Sequence, residues 1–313
     1  MDTTPAAQHF SYIPTLTRTT TAELLASSAP PVRWVIPDYI GEGLTILAGR
    51  PNSGKSWLAL DWAIAVASGV TAMGAIACEP GDVLYVDLEN GERRIHARLE
   101  TFFSRGKPPL LRRLQWLNEA PEDENLVGML DDWRRAAEAP RLVVIDAWPR
   151  LRQPAGPGHH ELDSAALREL RRWATTHPIA VVCIMRTPQA PSRDSRDTPA
   201  NALFACADTL LLLDQDEGGP TLDVRGRDVL EKQMALSFDN GRWSLQGEAA
   251  DLRLSAERQN ILDVLRDHNH RMRPKEIAEM LGVPAVNVRK LLCSMMSDGQ
   301  VSTPRLGEYE IAG

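Results

Sequence analysis

Aromatic residues make up only 5% of this 313-residue chain and cysteine occupies four positions, Cys78, Cys183, Cys206 and Cys293. The cysteines are far apart in mostly apolar surroundings, without a Cys-x-x-Cys pair, which argues against a zinc cluster or a disulfide framework and makes them packing residues. No apolar run approaches the roughly 20 residues of a membrane span, and the N-terminus has no basic-then-apolar leader pattern. A cytoplasmic protein with no membrane association is therefore expected. Positive charge is not in surplus either: the formal net charge is −7. No global field draws this chain to nucleic acid, so any such contact must come from local patches.

What is present is concentrated in one stretch. Leu44 to Gly49 is a short apolar run that opens into Gly49-Arg50-Pro51-Asn52-Ser53-Gly54-Lys55-Ser56, followed by an apolar helical pattern that stops at Gly69. Glycines at both ends let the backbone wrap a polyphosphate, and the loop amides and helix N-terminus face the anion. Lys55 can reach the β- and γ-phosphates and the Ser56 hydroxyl can ligate Mg²⁺. ATP and Mg²⁺ are the cofactors this pattern predicts.

Two further apolar runs end in acids. Asp82 to Glu89 is continuous enough for a parallel strand buried on both faces, and its carboxyl end is where such a sheet presents reacting groups. Glu89 could orient the attacking water there or be a solvated strand-end acid; Asp87 alternates to the other side and is the weaker candidate. Arg141 to Asp146 supplies the aspartate that would hold Mg²⁺ through its water shell together with Ser56. A charged helix is expected from Gly91 to Arg105, an outer strand within Leu111 to Leu117, and helices at Asn125 to Glu138 and Leu162 to His177. The pair His159-His160 invites a metal reading, but no third ligand is in view and an exposed loop pair is the simpler account. A strand at Ile179 to Met185 runs into a polar loop from Arg186 to Ala200 that carries Arg186, Arg193 and Arg196. Three more strands follow to Leu245, the first two joined as a hairpin at Asp216 to Pro220.

At this length one large and one small unit are expected. Residues 1–30, rich in Thr, Ser, Ala and Pro, read as a loose arm with a helical tendency only at Thr21 to Ala26. Trp34 and Tyr39, in the lead-in to the first strand, could stack on a base, though core packing suits them better. From Ser255 the pattern changes to three helices, Ala256 to Asp267, Arg273 to Gly282 and Pro284 to Ser297, with a Gly-containing turn between the last two, the mark of a helix-turn-helix. Val301 to Ile311 fits a two-stranded wing. Residues 251–313 hold nine Lys or Arg against nine Asp or Glu, so DNA binding through Arg289 and Lys290 of the third helix is possible but not compelled.

With these motifs in order, residues 30–250 resemble the RecA-like ATPases of the RepA type, the hexameric replication helicases of plasmids and phages. The resemblance rests on Trp34-Val-Ile-Pro, Gly43-Leu-Thr-Ile-Leu-Ala-Gly, Ser53-Gly-Lys-Ser-Trp-Leu-Ala-Leu-Asp, Val83-Leu-Tyr-Val-Asp-Leu-Glu, Leu142-Val-Val-Ile-Asp and Val224-Arg-Gly-Arg-Asp. It implies an α/β fold, a RecA-like P-loop core with a mostly parallel sheet over 31–250, to which the pattern read above adds a winged helix-turn-helix domain over 251–313. It also implies Glu89 as catalytic glutamate, Asp146 as magnesium aspartate, and Arg225 and Arg227 as the region that supplies a finger to the neighbouring subunit of a ring. The loops after Asp146 and Met185 match those that face single-stranded DNA. Where relatives carry a His pair, this chain has Met185-Arg186, and Arg186 is the candidate substitute. A ring motor on DNA is the leading expectation. A non-translocating ATPase that loads or recruits a partner protein, and a sequence-specific DNA-binding regulator, remain the alternatives.

Overall fold

The computed structural model of the protein describes residues 19–28, 31–104, 111–119, 126–148, 159–186, 205–216, 218–268, 271–305 and 307–312. The chain divides into two compact units, residues 1–32 and 33–313. In the first, α1 (Thr21–Ala26) is a single exposed turn and a half. Thr20 and Glu23 cap it reciprocally: the Glu23 amide donates to Thr20 Oγ1 at 3.3 Å and the Thr20 amide to Glu23 Oε2 at 2.7 Å.

The second unit is built on a nine-stranded sheet. In chain order its strands are β3 (Gly43–Gly49), β6 (Asp82–Asp87), β7 (Leu114–Leu117), β8 (Pro140–Asp146), β9 (Ala180–Arg186), β10 (Thr209–Asp216), β11 (Gly219–Gly226), β12 (Lys232–Asp239) and β13 (Arg242–Glu248), and they lie side by side as β13-β12-β11-β10-β3-β9-β8-β6-β7. The run from β10 to β7 is parallel. From β10 to β13 the chain turns back and forth in an antiparallel meander, which includes the hairpin expected at Asp216 to Pro220. Two small ribbons, β1 (Trp34–Ile36) with β2 (Ile40–Gly41) and β4 (Thr71–Ala72) with β5 (Ile76–Ala77), flank the sheet.

The apolar runs are continuous because alternate residues bury on opposite faces. Leu47, Val83, Tyr85, Val144 and Val182 pack in one core with α2 (Lys55–Ser68) and the end of α3 (Glu92–Phe102). Ile46, Ala48, Leu84, Val143 and Val181 pack in a second core with α4 (Leu126–Ala136) and α5 (His159–Thr176). α2 is apolar on nearly every side because it is buried, and it stops where Gly69 takes the left-handed conformation, φ 71°. Tyr39 is buried in the first core, with the Lys232 ammonium 4.1 Å from its ring centre, so packing is its role.

Beyond the sheet, α6 runs from Ala249 to His268. It starts seven residues before the expected Ala256 and follows β13 directly. α7 (Pro274–Leu281) has Pro at its first position and Gly282 in the left-handed conformation at its end, and α8 (Ala285–Ser297) follows at once. The hairpin β14 (Val301–Arg305) and β15 (Glu308–Ile311) closes the chain. These elements share a third core of Ile261, Leu265, Ile277, Val288, Leu292 and Val301. Cys78, Cys183 and Cys206 are buried as expected, whereas Cys293 on α8 is exposed. No helix among the described residues is long and apolar enough to cross a membrane.

Candidate active site at the carboxyl edge of the sheet

Parallel strands bring their carboxyl ends to one edge, and the register decides which residues meet there. Gly49, the last residue of β3, lies beside Arg186, the last of β9, and Asp87 of β6 lies beside Asp146 of β8. The loop from Gly49 to Ser56 rises from that edge. Its bend uses left-handed backbone at Asn52 (φ 61°) and Gly54 (φ 92°). A Cβ at Gly54 would come within 2.6 Å of Trp243 Cζ2, so glycine is required on steric grounds as well.

Lys55 is buried and folded onto its own loop. Its ammonium donates to Gly49 O at 2.9 Å, Arg50 O at 2.6 Å and Ser53 Oγ at 3.3 Å. Burial, followed by the positive charge of Arg186, brings its pKa down to about 8. A cation held among carbonyl oxygens in a partly desolvated loop gains most from an incoming anion. Ser56 hydrogen-bonds the Asp146 carboxylate, which also accepts from Tyr85 Oη at 3.3 Å; burial raises the Asp146 pKa. A buried carboxylate disfavoured as an anion, next to a hydroxyl at the end of a phosphate loop, suits a divalent cation. Ser56 and Asp146 would hold Mg²⁺ there, where it would offset phosphate charge.

The cavity in front of these groups measures about 350 Å³ and is bordered by Lys55, Ser56, Glu89, Asp146 and Arg186. Arg50 stands aside, within 3.6 Å of Asp214. Glu89 reaches the cavity because Asp87 shapes the loop before it. The Asp87 carboxylate accepts from the Glu89 amide at 3.1 Å, the Asn90 amide at 2.8 Å and the Asn90 side chain at 3.1 Å. Asp87 is thus a buried turn residue beneath the candidate catalytic acid.

Three features of the site were not singled out by the sequence reading. Arg94 and Arg98, one turn apart on α3, also border the cavity; their four-residue spacing right after Glu89 was the available signal. Trp57 borders it too, with the Arg98 guanidinium 5.7 Å from its ring centre. Trp34 and Tyr39 do not. Finally, Trp243 Nε1 donates to Gly54 O at 3.2 Å, tying β13 to the phosphate loop across 189 positions of sequence.

The remaining candidates lie elsewhere. Arg225 on β11 is paired with Asp223 and Arg227 is exposed just beyond that strand; neither borders the cavity of its own chain. Arg193 and Arg196 lie outside the described residues. Arg289 and Lys290 are exposed on α8, and no cluster of potential metal ligands occurs among the described residues.

A family model described as an AAA domain matches residues 13–191, more than half of the chain. The chain belongs to the AAA domain family. The match takes in the phosphate loop, Glu89, Asp146 and Arg186 together, and it identifies the protein as a P-loop ATPase.

Proposed function

We propose that this ATPase is a ring-forming motor on single-stranded DNA, a replicative helicase of the RepA type whose nucleotide is shared between neighbouring copies of this chain in a hexamer. The observation that carries the reading is a division of the site. Phosphate, Mg²⁺ and water each have a partner on one chain in Lys55, the Ser56–Asp146 pair and Glu89, while Arg225 and Arg227 stand away from that cavity. Arginines so placed suit the site of an adjacent copy, where a finger is worth on the order of a thousandfold or more in rate. Lys55 and the loop amides bind the polyphosphate, Glu89 orients the attacking water, and the finger offsets charge as the terminal phosphate leaves.

In this reading residues 251–313 form a winged helix-turn-helix domain that recruits a partner protein or assists loading. Its third helix, α8, offers Arg289 and Lys290. Arg271 and Arg273, which could meet phosphates, are engaged with hairpin acids: Arg271 with Glu310 at 2.9 Å and Arg273 with Glu308 at 3.8 Å. That pairing favours weak, salt-sensitive duplex binding over sequence-specific regulation. The test is ATP-dependent displacement of a strand from a tailed duplex, alongside images of particles formed with ATP and oligonucleotide. A protein that assembles and hydrolyses ATP yet displaces nothing is a switch, and the motor reading fails.

A further inference from the structure

A second cavity, of about 280 Å³, is bordered by α2, the end of α3 and β13, and it shares no lining residue with the nucleotide cavity. Its apolar surface comes from Ile64, Trp243 and the rings of Phe102 and Phe103, whose centres are 5.2 Å apart. Two charged side chains border it as well, Asp61 and Arg242. Asp61 is 6% exposed, and its Oδ2 accepts the Met73 amide at 2.7 Å. That bond holds the turn of the β4–β5 ribbon, where the Met73 carbonyl in turn accepts the Leu245 amide of β13 at 3.0 Å. The turn explains an acceptor at position 61 but not a charge. Asparagine would accept the same amide without the burial that raises this carboxyl to a pKa of about 7. The second oxygen, Oδ1, has no donor among the described residues. Arg242 is likewise half used: its Nε donates to the Phe102 carbonyl at 3.0 Å and its guanidinium lies 4.4 Å from the Phe102 ring centre. Its terminal nitrogens have no acceptor among the described residues.

A cavity of this size is at the small end of ligand pockets, roughly 300–1,000 Å³, and suits one flat ring system. Such a ring must pack on aromatic side chains, present N–H donors to a carboxylate and offer acceptors to a guanidinium. Guanine has all three: N1–H and the 2-amino group donate along one edge, and O6 and N7 accept from arginine as they do in DNA. Adenine turns a ring-nitrogen acceptor to the carboxylate instead, which leaves two acceptors face to face. We propose that this cavity binds the guanine ring of a free nucleoside or nucleotide, with Asp61 accepting from N1–H and the 2-amino group and Arg242 donating to O6 and N7. The site is separate from the one that hydrolyses ATP, and it stands whether or not the protein is a motor.

Trp243 borders this cavity and also donates to Gly54 O of the phosphate loop, so binding is measured with the nucleotide cavity filled. Calorimetry on the full chain with Mg²⁺ and saturating ADP uses guanosine, inosine and adenosine as probes. Guanosine should bind roughly tenfold or more tighter than adenosine, with inosine, which lacks the 2-amino group, between them. Asp61→Asn keeps the acceptor for Met73 and should weaken guanosine roughly tenfold while changing adenosine less than about threefold. Absence of guanosine binding, equal affinity for guanosine and adenosine, or an unchanged guanosine affinity in Asp61→Asn each overturns the proposal. Should that variant melt below wild type, Arg242→Met serves, since it leaves the Met73 turn alone. It should weaken guanosine about fivefold and adenosine less than about twofold, and equal weakening of the two overturns the assignment. A pentanucleotide containing one dG tests the other source of the same ring: saturable binding of it with none of guanosine means a base read within a strand, and overturns the free-ligand site.

Discussion

Replacing Asp61 by asparagine should stabilise this protein, and the gain should grow as pH rises from about 4 to about 7. Asp61 is on the buried α2, 6% exposed, and its Oδ2 accepts the Met73 amide at 2.7 Å. Burial pushes its pKa from 3.8 up to about 7, against the opposing pull of the Met73 bond and the Arg242 charge. The folded protein thus disfavours the anion while the unfolded chain does not. Stability is highest where Asp61 is protonated in both states, falls as pH rises from about 4 to about 7, and levels off above that. Three units at about 1.4 kcal/mol each give a cost on the order of 4 kcal/mol at pH 8, of which on the order of 1–2 kcal/mol is already present at pH 5. Asparagine keeps an oxygen for the Met73 amide and carries no charge. The advantage of Asp61→Asn over wild type should therefore increase by about 2–3 kcal/mol between pH 5 and pH 8. Urea unfolding of both proteins at the two values measures it, and every other titrating group cancels in the difference. A gap between the two proteins that does not change with pH would refute the reasoning.

Lys55 titrates in the opposite sense to a phosphate's needs: with its pKa lowered to about 8, the ammonium is lost above that value unless nucleotide restores it. ADP affinity should fall roughly tenfold between pH 7 and pH 9, with proton uptake seen by calorimetry in two buffers; Lys55→Met should abolish the uptake, and equal uptake in both proteins would exclude this assignment. Trp243→Phe keeps the ring but loses the hydrogen bond to Gly54 O, and at about 1 kcal/mol for such a bond should weaken ADP roughly fivefold. Unchanged affinity would show that the β13 tether does not shape the loop. Arg227→Ala mixed with Lys55→Ala should recover part of the ATPase activity that each lacks, since some interfaces are then intact on both sides; a mixture that assembles but stays inactive would exclude a finger acting in trans.

The parts of the site that sequence made legible are those where local chemistry and function coincide. A glycine loop between an apolar strand and an apolar helix has few other uses, and a strand buried on both faces that ends in an acid announces the edge of a parallel sheet. Lys55, Ser56, Glu89 and Asp146 all meet at one cavity for that reason. Asp87 was set aside because strands alternate, which is correct for its direction, yet its importance lies in the turn after the strand, where it holds the Glu89 and Asn90 amides. The contact of Trp243 with Gly54 depends on a meander folding back over the loop from far along the chain, and no local pattern carries that information.

Arg186 shows the same limit more sharply. As a letter in sequence it is a basic residue entering a polar loop, equally suited to nucleic acid or to phosphate. The strand order β10-β3-β9-β8-β6 decides its surroundings, because it seats the end of β9 between the ends of β3 and β8. The loop after β6 reaches across β8 to meet it, and Glu89 is the acid that this loop carries to the cavity. The pairing of that arginine with that glutamate is thus a consequence of topology, and a change of register at β9 by one residue would point Arg186 to the opposite face and leave Glu89 unpaired.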